Sequence, residues 1–195
     1  MKKILVVQGG GRPQGSTAQL VAHFAQGARD AGHQVELVSL MKQEVRGCLG
    51  CNACRYGKPC VQKDAFNELA PKIKAADCVA FASPLYFWTI SSRLKAFIER
   101  FYCLAEEDPN PPKGRYERYP AHDSVLLMTA ADDYFWTFEQ AERYYQWAVV
   151  NYIGFHDKGR LLAGGCGDTN GPSQIVATFH LQEAYRFGKN LYADD

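Results

Sequence analysis

The strongest constraint on the fold is an alternation along the chain between short apolar runs and longer segments with helical spacing. The apolar runs have strand length and are rich in Val, Leu and Ile, which is typical of parallel strands buried on both faces. Repeated βα units of this kind form an α/β domain, with one parallel sheet between two layers of helices. The predicted strands are Lys3 to Gln8, Gln34 to Ser39, Cys78 to Ala82, Ser124 to Thr129 and Gly159 to Ala163.

Five helices are predicted between and after these strands. The helical period is clearest in the third, where apolar residues recur at three- and four-residue steps from Ile90 to Phe101 and predict one buried face. Gly32 is suited to end the first helix, and Asp64 and Asp133 are suited to cap the second and fourth. The predicted helices are Thr17 to Ala31, Ala65 to Ala75, Ser91 to Leu104, Tyr134 to Tyr152 and Pro172 to Leu191.

Length and charge narrow the class of protein. A chain of 195 residues can bury one core, so we expect a single domain over residues 1–195. Its 22 Lys and Arg balance 21 Asp and Glu, which predicts no nucleic-acid partner and no anionic membrane partner. The apolar run at Lys3 to Gln8 is too short for a signal segment or a membrane span, so we expect a cytoplasmic protein with reduced cysteines.

The turn between the first strand and the first helix, Gly9 to Thr17, predicts a phosphate site. Glycines let backbone N–H groups approach an anion at a helix N-terminus, while hydroxyls and an arginine add donors. A P-loop is excluded because Ser16 stands where its lysine would be, and the dinucleotide fingerprint fails because Gln14 replaces its third glycine. A monophosphate such as that of FMN remains, with an ordinary βα turn as the alternative. The candidate residues are Gly10, Arg12, Gln14, Gly15, Ser16 and Thr17.

Three motifs together resemble the NADPH-dependent FMN reductase and iron-sulfur flavoprotein branch of the flavodoxin-like superfamily. The first is the glycine turn, with Gly9-Gly10-Gly11-Arg12 followed by Gly15-Ser16-Thr17. The second is Ser83-Pro84-Leu85-Tyr86 at the end of the third strand, followed by a helix that contains Leu94-Lys95. The third is a cysteine-rich loop between the second strand and the second helix. The resemblance covers most of residues 3 to 165.

The resemblance implies a three-layer flavodoxin-like fold with strand order 2-1-3-4-5 and FMN at the carboxyl edge of the sheet. This agrees with the rule that open α/β sheets bind ligands where the strand order reverses, here between the first and third strands. The implied ring-binding residues are Pro84, Leu85, Tyr86, Phe87 and Trp88 on one side, and Thr129, Ala130, Ala131 and Asp132 on the other. The aromatic residues could instead serve the core or a dimer contact, and the aspartates at 132 and 133 could simply cap a helix.

The loop from Leu40 to Lys63 carries Cys48, Cys51, Cys54 and Cys60 in the spacing C-x2-C-x2-C-x5-C. Three cysteines at successive x2 intervals followed by a fourth predict ligands for one [4Fe–4S] cluster. Zinc is a rival, although structural zinc sites more often join two separated cysteine pairs. Relatives that carry FMN alone suggest a further alternative, in which these cysteines are thiols in a dimer contact.

The resemblance implies an NAD(P)H-dependent oxidoreductase in which hydride passes from nicotinamide to FMN and on to a quinone, a free flavin or another small acceptor. No protein acid or base is required, so we name no catalytic residue. One alternative is an electron carrier between FMN and a [4Fe–4S] cluster, and another is an interaction module without flavin. A homodimer or homotetramer is implied. The excursion from Ala105 to Asp123 is predicted to be a lid, a subunit contact or a solvated loop.

Overall fold

A computed structural model describes residues 1–55, 58–107, 117–167 and 174–193. Five parallel strands form the main sheet in the order β2-β1-β3-β4-β5, which confirms the predicted order 2-1-3-4-5. The strands are β1 (Lys3–Gln8), β2 (Gln34–Ser39), β3 (Cys78–Pro84), β4 (Asp123–Thr129) and β5 (His156–Ala163).

Helices cover both faces of the sheet, so the predicted three-layer α/β architecture is confirmed. On one face, residues of α1 and α5 pack with β1, β3 and β4 in one apolar cluster. On the other face, residues of α2, α3 and α4 pack on the sheet in a second cluster. The helices are α1 (Ser16–Asp30), α2 (Phe66–Ala75), α3 (Ser92–Glu99), α4 (Glu139–Tyr145) and α5 (His180–Asn190).

Several predicted boundaries were wrong. The segment predicted as Ser91 to Leu104 continues after α3 as the 3-10 helix Arg100–Leu104, and the segment predicted as Tyr134 to Tyr152 begins only at Glu139. It then continues as a π-helix, Gln146–Ile153. The last predicted helix becomes a 3-10 turn, Gln174–Ala177, followed by α5, and its predicted start at Pro172 lies outside the described residues.

Strand β5 begins at His156, three residues before the predicted start at Gly159. β5 is an edge strand, and its first residues, His156 and Asp157, pair with β4 while remaining exposed. Gly159 itself has φ +126°, and the register of the ladder shifts between Ser124 and Leu126. The glycine therefore marks an irregularity within the strand rather than its beginning.

The predicted helix ends have mixed outcomes. Gly32 follows α1 with φ +85°, a conformation that favours glycine, so its role at that helix end is confirmed. The prediction for Asp133 was wrong, because α4 has Phe138 at its N-cap and no side-chain cap. Asp64 accepts a hydrogen bond from the Phe66 N–H at 3.1 Å, but the N-cap position of α2 belongs to Ala65.

Two glycines bring the backbones of α1 and α5 into direct contact. A Cβ atom on Gly27 would overlap the carbonyl oxygen of Tyr185, and one on Gly188 would overlap that of Phe24. Because neither position has room for a side chain, the two helices pack closely and the orientation of α1 is fixed on the sheet.

A buried ion pair ties the cysteine loop to the end of α3. Arg100 donates from Nη1 to Oδ2 of Asp64 at 2.6 Å and from Nη2 to Oδ1 at 3.1 Å. Both side chains are at most 2% exposed. Arg100 Nη1 also donates to the carbonyl oxygen of Arg46 at 2.9 Å. Residues near both ends of the loop, Arg46 and Asp64, are therefore held by one guanidinium.

Two further predictions concern the excursion after α3 and the expected lack of a membrane span. The excursion from Ala105 to Asp123 contains a short antiparallel ladder between Glu106–Glu107 and Glu117–Arg118. Residues 108–116 lie outside the described residues, so the lid or subunit contact stays a prediction. Within the part of the chain that the structure describes, no helix combines the length and apolar character needed to cross a bilayer.

The buried pair predicts that Asp64→Asn will destabilise the fold strongly. Removing the charge of Asp64 leaves a buried guanidinium without its counterion, which costs about 3 kcal/mol of the free energy of unfolding. A suitable control is Glu139→Gln, which breaks the exposed pair with Arg143 and should cost at most about 0.5 kcal/mol. Urea titration monitored by circular dichroism measures the free energy of unfolding of both variants. Equal losses of stability in the two variants would contradict the structural role of the buried ion pair.

The same pair predicts a pH dependence. Burial alone would raise the pKa of Asp64, but hydrogen bonds from Arg100 and from the Arg46 N–H, with the charge of Arg100, hold this pKa below its ordinary value. The contribution of Asp64 to stability is therefore present above the ordinary carboxyl range and lost as the pH falls through the folded-state pKa. The difference in the free energy of unfolding between wild type and Asp64→Asn should therefore become smaller as the pH is lowered.

Candidate functional site

The carboxyl ends of β1, β3 and β4 surround a cleft of about 130 Å³. It lies where the strand order reverses between β1 and β3, which is the ordinary position of ligand sites in open α/β sheets. Segments that are distant in sequence contribute to its wall. The lining residues are Gly10, Gly11, Arg12, Gly15, Ser16, Thr17, Pro84, Leu85, Tyr86, Thr129, Ala130, Ala131, Cys166 and Gly167.

The first turn of α1 provides the polar end of the cleft. Gly15 is the N-cap and forms no side-chain capping bond, so the first N–H groups of the helix have no acceptor within the helix itself. These groups form the positive end of the helix dipole. Arg12 supplies a positive charge, and none of the residues that line the cleft is a carboxylate. The cleft is therefore suited to an anion.

Two buried hydroxyls connect α1 to the end of β4. Oγ1 of Thr17 and Oγ1 of Thr129 are 2.6 Å apart, and either can donate to the other. Only one of the two hydrogens is used in this bond, so the second hydroxyl can donate its hydrogen to a ligand. Ser16 donates to the carbonyl oxygen of Cys166 at 3.1 Å, which ties the helix N-terminus to the loop after β5.

Gly9 allows the turn to pass close to α3. A Cβ atom at Gly9 would lie 2.8 Å from Cβ of Leu94 and would overlap Oγ of Ser91. That hydroxyl caps α3 by accepting from the Leu94 N–H at 3.3 Å. A larger residue at position 9 would therefore displace either the glycine turn or the start of α3.

An unusual turn follows β3. Tyr86 and Thr89 exchange two backbone hydrogen bonds, of 2.9 and 3.1 Å, across Phe87 and Trp88. Phe87 has φ +46° and Trp88 has φ +59°, as in a type I′ turn, where glycine and asparagine are the favoured residues. Two bulky aromatic residues therefore adopt a strained backbone conformation beside the cleft, and strain of this kind is concentrated at functional sites.

The loops after β3 and β4 form an aromatic wall, which we define as Tyr86 to Trp88 and Tyr134 to Trp136. Trp88 stacks on Trp136 with ring centroids 6.1 Å apart, and Tyr134 stacks on Trp136 at 5.4 Å. Phe87 is 93% exposed and Phe135 is fully exposed. The sequence analysis missed the second half of this wall because Tyr134 was predicted to begin a helix.

The structure brings most of the predicted flavin-binding residues together. All of the predicted phosphate-turn residues except Gln14 line the cleft, as do Pro84 to Tyr86 and Thr129 to Ala131. Phe87, Trp88 and Asp132 do not line it. Cys166 and Gly167 also line the cleft but were not predicted to do so, because their only signal in the sequence is their position after the last strand. Burial and the charge of Asp133 raise the pKa of Cys166 to about 11, so this thiol is neutral.

The four predicted metal ligands are distributed unevenly over the cysteine loop. Cys48 and Cys51 are exposed, Cys54 is buried in the core and Cys60 is partly buried. Burial, followed by the electrostatic interaction with the neighbouring Cys60, raises the pKa of Cys54. Among the described residues, no three Cys, His, Asp or Glu side chains are arranged to hold a metal ion. The donor types suit an iron-sulfur cluster, but their arrangement does not, and we derive no chemistry through one.

Cys103, to which the sequence analysis assigned only a packing role, lies in the same core cluster as Cys54. Burial and the charges of Cys54 and Cys60 raise the pKa of Cys103 to about 11. This thiol is therefore neutral at physiological pH.

The strained turn predicts that Phe87→Asn will stabilise the protein. Asparagine tolerates a positive φ, and the exposed Phe87 ring loses little burial, so we expect a gain of about 1 kcal/mol in the free energy of unfolding. The matched control is Phe135→Asn, an equally exposed aromatic residue without a positive φ. Its free energy of unfolding should change by less than about 0.5 kcal/mol. Denaturant titration measures the free energy of unfolding of both variants. A similar change in both would show that the turn is not strained.

Comparisons with known proteins agree with this geometry. An iron-sulfur flavoprotein of Methanocaldococcus jannaschii is 34% identical over 98 residues, which cover 50% of this chain and 51% of that protein. The chain thus spans about half the length of that relative. The FMN-dependent NADH:quinone oxidoreductase 2 of Pseudomonas putida is 25% identical over 177 residues, covering 85% of this chain and 88% of that protein.

The fold is shared with solved structures. An NAD(P)H:quinone oxidoreductase from Methanothermobacter marburgensis superposes with a TM-score of 0.77 at 18% identity, covering 97% of this chain and 98% of that chain. Residues 2–128 match the sequence profile of the NADPH-dependent FMN reductase family, which is well over half of the chain. This confirms the resemblance carried by the phosphate turn and the motif after β3. The chain belongs to the NADPH-dependent FMN reductase family.

Proposed function

We propose that this chain binds FMN in the cleft and acts as an NAD(P)H-dependent flavin oxidoreductase. The observation that carries the proposal is a cleft lined without carboxylates, in which the N-terminus of α1 faces the ends of β3 and β4. A phosphate monoester suits such a site because backbone N–H groups, a hydroxyl and Arg12 can all donate to it. Membership of the NADPH-dependent FMN reductase family supports the same cofactor.

The residues present fit FMN at both ends of the cleft. The phosphate would be held by Gly10, Arg12, Gly15, Ser16 and Thr17, which combine backbone, hydroxyl and guanidinium donors. The ring would lie between the segments Pro84 to Trp88 and Thr129 to Asp132. Aromatic and apolar residues of these segments suit a flat heteroaromatic ring.

Bound FMN supplies the hydride-accepting and electron-donating chemistry. The chain contributes binding, orientation and exclusion of water. The aromatic wall presents flat apolar surface beside the cleft, which limits the access of water to a bound ring. None of the residues that line the cleft is a carboxylate or a histidine, and Cys166 is neutral. We therefore propose no catalytic acid or base among the residues that line the cleft.

The remaining properties are part of the same proposal. The reductant is a nicotinamide nucleotide and the acceptor is a small molecule such as a quinone or a flavin. A single domain over residues 1–195 forms a homodimer or homotetramer, which the exposed rings of Phe87 and Phe135 support as a contact surface. A cytoplasmic location is supported by the cysteines, all of which are free thiols.

A second candidate function is electron transfer between FMN and a [4Fe–4S] cluster. It is favoured by the C-x2-C-x2-C-x5-C spacing and by the similarity to iron-sulfur flavoproteins. Cys48, Cys51, Cys54 and Cys60 would then be the ligands, and the loop would have to bring them together, since the described residues are not arranged for a metal in this structure. Iron and sulfide determination on anaerobically purified protein tests this candidate. Four iron atoms per chain would support it, and protein free of iron under those conditions would exclude it.

Stopped-flow absorbance tests the reductase directly. Anaerobic mixing of the FMN-loaded protein with NADPH or NADH should bleach the flavin at a rate of about 1 s⁻¹ or faster, as turnover of an ordinary enzyme requires. Because none of the residues that line the cleft is a carboxylate or a histidine, the rate should change little between about pH 6 and 8. Failure of both nucleotides to reduce the flavin would reject the reductase, and rapid reduction by a ferredoxin alone would favour the electron carrier.

A further inference from the structure

A second and larger cavity, of about 370 Å³, adjoins the cleft on the side of β2. Its volume falls in the range of about 300–1,000 Å³ that is typical of small-molecule sites. Gly10, Gly11 and Arg12 line both the cavity and the cleft, so the two share one wall. FMN in the cleft would leave this cavity unused.

The cavity meets only the phosphate end of the proposed flavin site. The three shared residues all belong to the glycine turn, whereas neither of the proposed ring-binding segments, Pro84 to Trp88 and Thr129 to Asp132, lines the cavity. A hydride donor or acceptor confined to the cavity would therefore not reach the flavin ring. A group joined to the flavin phosphate would enter the cavity directly.

The shared wall carries little side-chain bulk, because two of its three residues are glycines. A Cβ atom at Gly11 would lie 3.9 Å from Nη1 of Arg93 and 3.9 Å from Sδ of Met41, so the space above this residue is open. Glycines also let backbone N–H groups approach phosphate oxygens closely. A pyrophosphate could therefore cross the turn, with one phosphate on the side of the cleft and one on the side of the cavity.

The floor of the cavity is apolar and partly open to solvent. Val6, Val21 and Val38 contribute buried side chains. Leu37 and Met41 also line it and remain 46% and 50% exposed. Exposed apolar side chains around a concave surface are typical of a ligand site, and a flat aromatic base would cover them.

Positive charge borders this apolar floor. Arg12 and Lys42 line the cavity, and none of the lining residues is a carboxylate. Cations without a neighbouring carboxylate favour a phosphate group, to which their N–H groups donate charge-assisted hydrogen bonds. A ligand with a phosphate beside a flat base therefore matches both parts of the cavity.

One polar group in the cavity wall lacks a partner. Gln43 lines the cavity, and its Oε1 is buried without a hydrogen-bond partner among the described residues. Buried carbonyl oxygens are nearly always paired, so this atom calls for an N–H donor. A rotation of the side chain toward the cavity would bring the oxygen to such a donor, and the amino group of adenine is one.

We propose that this cavity holds the adenosine monophosphate half of FAD, so that the chain binds FAD more tightly than FMN. The flavin half occupies the cleft, and the pyrophosphate crosses the glycine turn. Arg12 and Lys42 bind the second phosphate. Leu37 and Met41 pack on the adenine ring, and Gln43 accepts a hydrogen bond from its amino group. The inference rests on the proposed binding of a flavin in the cleft and deepens it by naming the form of the cofactor.

Isothermal titration of the flavin-free full chain with FMN and with FAD tests the proposal without turnover. Both flavins carry the same half into the cleft, so the ratio of their dissociation constants isolates the contribution of the cavity. We expect FAD to bind at least about tenfold tighter than FMN, because one charge-assisted hydrogen bond accounts for roughly that factor.

Two variants and a matched control locate this difference in the cavity. Lys42 and Gln43 line the cavity but not the cleft. Lys42→Ala should therefore remove most of the preference for FAD and leave the affinity for FMN nearly unchanged, and Gln43→Leu should reduce the preference in the same way. Lys63→Ala, which removes an exposed lysine that lines neither the cavity nor the cleft, should retain it.

An affinity for FAD no higher than that for FMN would overturn the proposal, as would a preference that Lys42→Ala leaves unchanged. The FMN titration separates this failure from that of the proposed function. Tight binding of FMN with weaker binding of FAD would reject the adenosine site and leave the flavin oxidoreductase standing. If neither flavin bound, the cleft would not be a flavin site, and both proposals would fail.

Discussion

The hydrogen bond between Thr17 and Thr129 is the interaction on which the site depends. It joins the first turn of α1 to the carboxyl end of β4 across 112 residues of sequence. The contact of Ser16 with the carbonyl oxygen of Cys166 adds a second tie from the same helix end. With the close packing of α1 on α5 at Gly27, these bonds hold the N-terminal end of α1 at the cleft. The polar end of the cleft is therefore held in place by the fold itself.

The aromatic wall beside this end of the cleft contains strained backbone and exposed apolar side chains. Phe87 and Trp88 adopt positive φ values in a turn that glycine or asparagine would form more readily, and the aromatic wall leaves large rings in contact with water. Phe87, Trp88 and Phe135 belong to neither of the two buried apolar clusters. A sequence selected only for stability would avoid positive φ values at bulky residues and large exposed rings. Such departures from local preference are expected at functional sites. In the proposed complex with FMN, the stable part of the fold would hold the phosphate and the strained part would face the ring.

The strands and the glycine turn could be predicted because they depend on local patterns, whereas the strand order was implied by the resemblance to the family. Apolar runs, glycine clusters and the hydroxyls of Ser16 and Thr17 are adjacent in sequence. Contacts across long sequence separations could not be predicted. The pairing of Asp64 with Arg100 and the approach of Cys166 to the cleft depend on tertiary packing, which no spacing rule encodes. Asp64 was predicted only as a helix cap, because its local position is also compatible with that role.

The central claim is that the N-terminal end of α1 recognises a phosphate, and comparing FMN with riboflavin tests it most directly. The two flavins differ only in the phosphate, so titration of the apoprotein by flavin fluorescence isolates the contribution of this site. Two charge-assisted hydrogen bonds correspond to a factor of about 100 in affinity, and we expect FMN to bind tighter by at least that factor. Equal dissociation constants for FMN and riboflavin would contradict the claim.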